Sequence, residues 1–468
     1  MTSPNLNQNV ETGSAKIDPY AALRLRDFRF YLGGNIASVL GGQMVAVAIG
    51  WELYQRTNSA TALGLVGLFQ LIPLLLFSIP AGHVVDTLNR RHIIVASQFL
   101  LTAAACALAL ASFWHERIPA TPLIRLLNRG CSGLANALGE TRVRFTDPYV
   151  PVLYAIILLQ GVIRTFNQPA KSAFMPMLVP PALFPHAVTW STSAQELCSV
   201  IGPALGGLIV ALLLQRPATF SIAYPAVYLL NALLQFLQSL ALIPIRLLNA
   251  PRRNEKTTFS SLTAGLRYVW TEKILLATLT LDFFAIVLGG ASALLPLFAK
   301  DILHVGPAGL GWLRAAPSIG AIAMALLIAH RRPMRRAGRN LLYSVAAFGA
   351  ATIIFGLSKN IWLSLAMLIL IGAFDNVSVV IRHTLVQLRT PDQMRGRVSA
   401  INGIFFGSSN QLGALESGIT AAAFGAVASV VIGGVATLCI VATAALLWPQ
   451  LRRLENLDPS RQTDPQSP

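Results

Sequence analysis

Apolar residues fall in about a dozen long stretches along this chain, separated by short polar connections. A helix needs roughly 20 predominantly apolar residues to cross roughly 30 Å of hydrocarbon. On that measure the pattern predicts membrane-spanning helices at 31–54, 61–82, 92–113, 149–170, 187–213, 222–245, 274–299, 308–329, 340–357, 361–385, 399–424 and 428–449. Lysine and arginine sort by side between them. With the N-terminus placed in the cytoplasm, most of the 36 Lys+Arg lie on the cytoplasmic side, which sets the orientation with both ends inside. A soluble helical protein of 468 residues could not bury so many apolar stretches.

The chain repeats itself weakly. Pro181-Ala-Leu-Phe-Pro-His-Ala-Val188 precedes one stretch as Pro391-Asp-Gln-Met-Arg-Gly-Arg-Val398 precedes another. Further on, Gly202 and Gly207 correspond to Gly413 and Gly418, and Gly67-Leu-Phe-Gln-Leu-Ile-Pro73 to Gly311-Trp-Leu-Arg-Ala-Ala-Pro317. Matching segments at matching places imply two six-helix halves. The expected organisation is therefore an all-α membrane protein of twelve transmembrane helices in two pseudo-symmetric bundles. A cytoplasmic tail covers 1–28, the N-terminal bundle 29–245, a cytoplasmic linker 246–273 and the C-terminal bundle 274–449, with a disordered cytoplasmic tail over 450–468. Thr390, Pro391 and Gln393 read as N-cap, first helical residue and capping-box partner ahead of the eleventh span. Residues 114–148 are too polar to span and would lie outside. Their five arginines read either as a basic vestibule for anionic solutes or as a tolerated insertion.

Composition removes several classes of function. The hydrophobic fraction is 54%, and the charged fraction is 12%, against about 25% for soluble domains. The formal charge of +17 lies mostly in short connections, where anionic headgroups account for it, so no nucleic-acid partner is expected. Cys106, Cys131, Cys198 and Cys439 show neither metal-ligand nor disulfide-framework spacing. The polar first 20 residues, followed by a span-length apolar segment, do not read as a cleavable signal peptide. No GxxxxGK[ST] loop, nucleophile elbow or HExxH helix is present, which argues against ATP-driven or hydrolytic chemistry.

Ionisable residues inside spans are expensive and usually face a cavity, pair, or carry protons. By these boundaries Glu52 lies in the first span, Glu196 in the fifth, Asp282 in the seventh, Arg314 in the eighth, Asp375 in the tenth and Glu416 in the eleventh. Five carboxylates against one central arginine leave several without a counter-ion, able to load and release a proton. Plainer readings remain. Glu52 could serve as an interfacial anchor, Asp375 be held by Asn376 and Ser378, Glu416 by Ser417, and Arg314 act as a structural lock. Arg164 and Lys171 read as headgroup contacts near the cytoplasmic end of the fourth span.

Four stretches carry a family resemblance. Gly82-His-Val-Val-Asp86-Thr-Leu-Asn-Arg90-Arg91 looks like the loop motif between the second and third spans of the major facilitator superfamily. Gly202-Pro203-Ala-Leu-Gly206-Gly207 is similar to the end of the fifth-span motif of proton-coupled antiporters. Phe166 to Pro176 and Arg389 to Arg397 look like stretches preceding the fifth and eleventh spans of its drug and siderophore exporters. The antiporter motif has Cys198 where glycine would stand, and the second-half loop from His330 to Arg339 lacks an acid like Asp86.

The resemblance implies the major facilitator fold, with helices one, four, seven and ten around a central cavity, and so points to Asp282 and Asp375. It implies a gating loop at Gly82, Asp86, Arg90 and Arg91, and a bendable fifth helix at Gly202, Pro203, Gly206 and Gly207. The expected function is export of a small organic molecule, drug or siderophore-like, across a bacterial inner membrane. Proton antiport would drive alternating access, with no cofactor, no metal, lipid as partner and a monomeric state. A facilitator without proton coupling and a non-transporting scaffold or sensor are the alternatives.

Overall fold

The computed structural model describes residues 20–119, 121–137, 147–245, 259–330, 336–452 and 454. Twelve long helices run up and down: α1 (Arg26–Thr57), α2 (Ala60–Thr87), α3 (Arg90–Phe113), α4 (Tyr149–Phe174), α5 (Phe184–Leu214), α6 (Ala223–Leu242), α7 (Lys273–Gly289), α8 (Gly306–Ala329), α9 (Ala337–Leu357), α10 (Ile361–Arg389), α11 (Asp392–Phe424) and α12 (Ala426–Leu447). The end of the molecule that carries the start of α1 is called proximal, and the end carrying the α1–α2 turn distal. Among the described residues no strand forms.

Local chemistry sets the helix starts. Ser59 caps α2 by accepting from Ala62 N at 3.0 Å, and the Asn360 side chain caps α10 by accepting from Trp362 N at 2.8 Å. Asn58 takes a left-handed conformation with φ of 46°, which lets α1 and α2 join through a two-residue turn. The expected cap of α11 does not form. Pro391 takes the N-cap position instead of Thr390, and the Thr390 hydroxyl finds no partner. The residue before a proline is held extended, so Thr390 stays outside the helix.

Among the described residues eleven segments are long and apolar enough to cross a membrane. The exception is α11, whose Asn402, Ser408, Ser409, Asn410, Gln411 and Glu416 lower its hydropathy. Its length of 33 residues is ample for a crossing, and it is shielded from lipid along one face by α2. The seventh span is not continuous. It ends at Gly289-Gly290, where the backbone turns extended, and resumes as short helical turns from Ser292 to Ile302. Two adjacent glycines give the helix little reason to continue.

Apolar packing divides by depth. In the distal half one cluster of buried side chains runs across both bundles, joining Met44, Leu53 and Leu63 to Phe298, Leu310 and Leu313. In the proximal half there are two separate clusters. Phe28, Ile94, Phe174 and Leu242 form one in the N-terminal bundle, and Leu275, Leu341, Ile381 and Leu451 form the other in the C-terminal bundle. The bundles are thus fused at the distal end and independent at the proximal end.

Parts of the expected tails and linker are ordered. Phe259–Thr271 forms a helix whose Gly265 lies against Ile401 and Arg397 of α11, and the Tyr268 hydroxyl donates to Arg389 O at 2.7 Å. Leu451 and Leu454 are buried against the start of α9, with Gly338 N donating to Leu454 O at 3.1 Å. The rest of the expected tails, 1–19 and 455–468, lies outside the described residues, as do linker residues 246–258. Within 114–148, Pro122–Ala137 is an amphipathic helix with Leu123 and Leu126 exposed and Cys131 buried.

Candidate functional site

Glycines bring the two bundles into contact. A Cβ on Gly64 of α2 would meet Gly418 Cα of α11 at 3.0 Å, and one on Gly67 would meet Ala414 Cβ at 2.8 Å. On the opposite side Gly311 of α8 lies against Pro203 O and Gly207 of α5. Side chains in this backbone-on-backbone seam would hold the helices apart. Polar contacts close its distal rim: Tyr54 donates to Asp301, and Lys300 Nζ donates to Asn58 Oδ1 at 2.5 Å. Along α11 the seam then opens. Gly407 still approaches Leu74 at 3.1 Å, whereas a Cβ at Gly403 or Gly396, further toward the proximal end, would meet nothing within 4 Å.

Beneath the seam lies a cavity of about 380 Å³. Gln43 and Gly50 of α1, Gln70 of α2, Arg164 of α4, Ser199 of α5, Ser292 after the α7 break, Arg314 and Ser318 of α8 and Gln411 of α11 line it. Gln43 Nε2 donates to Ser199 Oγ at 2.9 Å, fixing α1 against α5. Among the described residues no carboxylate lines this cavity. Arg314 Nε is buried without a hydrogen-bond partner, and Arg164 is solvent-accessible although it stands well inside α4.

This placement corrects the sequence reading at several residues. Arg164 is a cavity residue, not a headgroup contact. Lys171 is turned inward too, its amine donating to Asn35 Oδ1 and Gln238 Oε1, each at 3.2 Å. Asp282 and Asp375 do not line the central cavity. They flank a narrower cleft inside the C-terminal bundle, with Ala285, Val345, Phe348 and Ser378.

Nor is Asp282 left without a counter-ion. It pairs with Arg382 of α10, both side chains almost fully buried, and accepts from Ser378 Oγ at 3.2 Å. Arg382 sits within a predicted span, but the reading of one central arginine against five carboxylates omitted it. Ser378 serves Asp282, not Asp375.

Glu52 is not an unpaired carboxylate. It is fully buried and accepts from Arg56 Nη2 at 2.9 Å, Ser112 Oγ at 2.7 Å, Tyr149 OH at 2.9 Å and Tyr228 OH at 2.6 Å. Arg56 also bonds Asp147 Oδ2 at 3.2 Å, so this network ties α1, α3, α4 and α6 to the end of the 114–148 segment. Every acceptor position is used, which is the arrangement a structural anchor requires.

Of the five carboxylates read within spans, three have no cation partner among the described residues. Glu196 of α5 lies within electrostatic range of Asp375 of α10, across the gap between the bundles. Glu416 of α11 accepts from Thr420 Oγ1 at 2.7 Å.

In the loop expected to gate, Arg90 and Arg91 bridge α3 to the ends of α4 and α6. Arg90 Nη1 donates to Ala173 O at 3.3 Å at the end of α4, and Arg91 donates to Ile243 O after α6. Asn89 caps α3 by accepting from Arg91 N at 3.0 Å. Gly202, Pro203, Gly206 and Gly207 form the buried face of α5, with Gly202 and Gly206 against α1 and Gly207 against α8. The polar cavity residues missed by sequence reasoning were Gln43, Gln70, Ser199, Ser292, Ser318 and Gln411. Of these only Ser292 had a signal, the Gly289-Gly290 pair just before it.

Comparison with known proteins agrees with this architecture. The chain is 24% identical over 427 residues to the multidrug efflux pump Tap of Mycolicibacterium fortuitum, covering 89% of this chain and 94% of that protein. It is 22% identical over 422 residues to the staphyloferrin A transporter of Staphylococcus aureus, covering 88% and 94%. With the enterobactin exporter EntS of Escherichia coli it shares 27% over 341 residues, covering 73% and 78%. Among solved structures, an inward-facing bacterial homologue of the human lysosomal transporter Spinster superposes with a TM-score of 0.64 at 13% identity, covering 93% of this chain and 97% of that one. A D-xylose–proton symporter superposes with a TM-score of 0.62 at 12% identity, covering 90% and 96%. The family of transmembrane secretion effectors matches residues 17–138 and 124–467. The chain therefore belongs to the transmembrane secretion effectors, a family of major facilitator transporters, and is a multi-pass membrane protein, not an enzyme.

Proposed function

We propose that this protein exports a small organic molecule, drug or siderophore-like, from the cytoplasm by alternating access coupled to proton entry. The observation that carries the reading is the division of the apolar core, single across both bundles at the distal end and double at the proximal end. Such a molecule can rock about its middle, because the bundles are joined at one end and separate at the other. The lysines and arginines of the proximal connections put that end in the cytoplasm, so the conformation is inward-open and both termini are cytoplasmic. The named relatives export or transport drugs and siderophores, which supports the substrate class and a bacterial inner-membrane location.

Coupling falls to Glu196 and Asp375. They sit on opposite bundles, and neither has a cation partner among the described residues. When both are ionised their repulsion keeps the α5–α10 gap open. Protonation removes that repulsion and allows the bundles to move. The Asp282–Arg382 pair and the Glu52 network hold their own bundles rigid instead.

The test is pH-driven efflux in everted membrane vesicles. Asp375→Asn and Glu196→Gln are each expected to reduce gradient-driven efflux at least about tenfold while substrate still exchanges without a gradient. Undiminished pH-driven efflux in the double variant would rule out this pair as the coupling groups.

A further inference from the structure

We propose that the central cavity binds an anionic group of its solute, a carboxylate or catecholate, between Arg164 of the N-terminal bundle and Arg314 of the C-terminal bundle. This rests on the reading of the cavity as the transport site and goes beyond it by assigning a substrate charge. Both arginines line the same cavity, one contributed by α4 and the other by α8. Among the described residues neither has an ion-pair partner, and Arg314 Nε is buried with no acceptor at all. A buried charged donor left unsatisfied is costly, and a ligand oxygen would complete it.

The rest of the lining fits the same ligand. Gln43, Gln70, Ser199 and Gln411 offer neutral hydrogen bonds, and no carboxylate is present to repel an anion or to bind a cationic drug. Further along α4, the Lys171 amine donates to two amide oxygens and, among the described residues, to no acid. The carboxylates that remain without a cation, Glu196, Asp375 and Glu416, lie outside the cavity lining. Charges for the solute and charges for the proton thus occupy different places.

The two arginines also explain how binding would move the protein. Guanidinium is planar and bidentate toward carboxylate-like oxygens. An oxyanion shared between α4 and α8 replaces repulsion between two cations with a bridge across the bundles, and so favours closing the proximal gap around the solute.

Purified protein in detergent can be titrated with citrate, 2,3-dihydroxybenzoate and ethidium, following binding by thermophoresis and by the shift in unfolding temperature. Citrate or 2,3-dihydroxybenzoate is expected to bind and stabilise, ethidium is not, and R164Q and R314Q should each weaken anion binding at least about tenfold. R164K and R314K should recover most of it, and size-exclusion profiles will establish that the variants are folded. Binding of ethidium alone, or anion binding unchanged in both glutamine variants, would overturn the proposal. Displacement of the anions by phosphatidylglycerol at equal concentration would overturn it too, by assigning the arginines to lipid. Ethidium efflux that persists in R164Q vesicles would sink the anion site while leaving export intact. Absence of efflux of any probe from the unaltered protein would instead remove the transport reading on which the site rests.

Discussion

At the scale of single residues, the charges inside this membrane protein serve three separate purposes. Glu52 and Arg56 knit helices together, Asp282 and Arg382 stiffen the C-terminal bundle, and Arg164 and Arg314 stand without acidic partners in the cavity. Removing one member of a buried pair leaves a bare charge, whereas removing both can be nearly neutral. R382Q is therefore expected to cost on the order of 3 kcal/mol, and D282N combined with R382Q to recover most of it. Denaturant unfolding in detergent reads the difference; equal loss in both variants would mean that the pair contributes little. Cys131 gives a second residue-scale prediction. It lies outside the spans, and burial pushes its thiol above the ordinary range. A higher pKa means less thiolate at neutral pH. Maleimide should therefore label Cys131 at least about tenfold more slowly at pH 7 than a cysteine at the exposed Leu123 position on the same helix, and the gap should narrow as pH rises through the thiol range.

At the scale of helices, the sequence was most legible where a single element carried the signal. Eleven of the twelve long helices follow directly from hydropathy over about 20 residues, a local property, whereas α11 carries too many polar residues to pass on that measure alone. Breaks and caps were harder. The interruption of the seventh span at Gly289-Gly290 was hidden by its uniform apolarity, and Pro391 displaced the N-cap expected at Thr390. The close α2–α11 seam depends on glycine at Gly64, where a larger side chain meets backbone at 3.0 to 3.1 Å. Gly64→Leu should therefore destabilise the distally closed state. The expected readout is faster labelling of a cysteine placed at Gln411 by an impermeant reagent from the distal side. Labelling unchanged from wild-type background would show that the seam tolerates the added bulk.

For the whole molecule, alternating access requires the distal seam to part. Gly207 and Gly311 lie backbone to backbone across α5 and α8. That seam has no room for added side chains, so the crosslink belongs at the rim: a short, cleavable bismaleimide bridge between cysteines replacing Asn58 and Lys300, whose side chains meet there, should lock the distal end shut and abolish efflux, with recovery on cleavage. Continued efflux in the crosslinked protein would exclude rocking of the two bundles as the transport motion.

The sequence by itself determined the twelve-span architecture, its two-fold internal repetition and the family, because each rests on patterns read along the chain. It also located the carboxylates at membrane depth. Only the tertiary structure decided what those charges do. Pairing joins Asp282 to Arg382 across separate helices and Glu52 to partners as distant as Tyr228, whereas Glu196 and Asp375 face each other from different bundles as like charges. Whether a buried charge is a strut, a proton carrier or a ligand site depends on which helix faces it, and that is a property of packing, not of the span in which the residue is found.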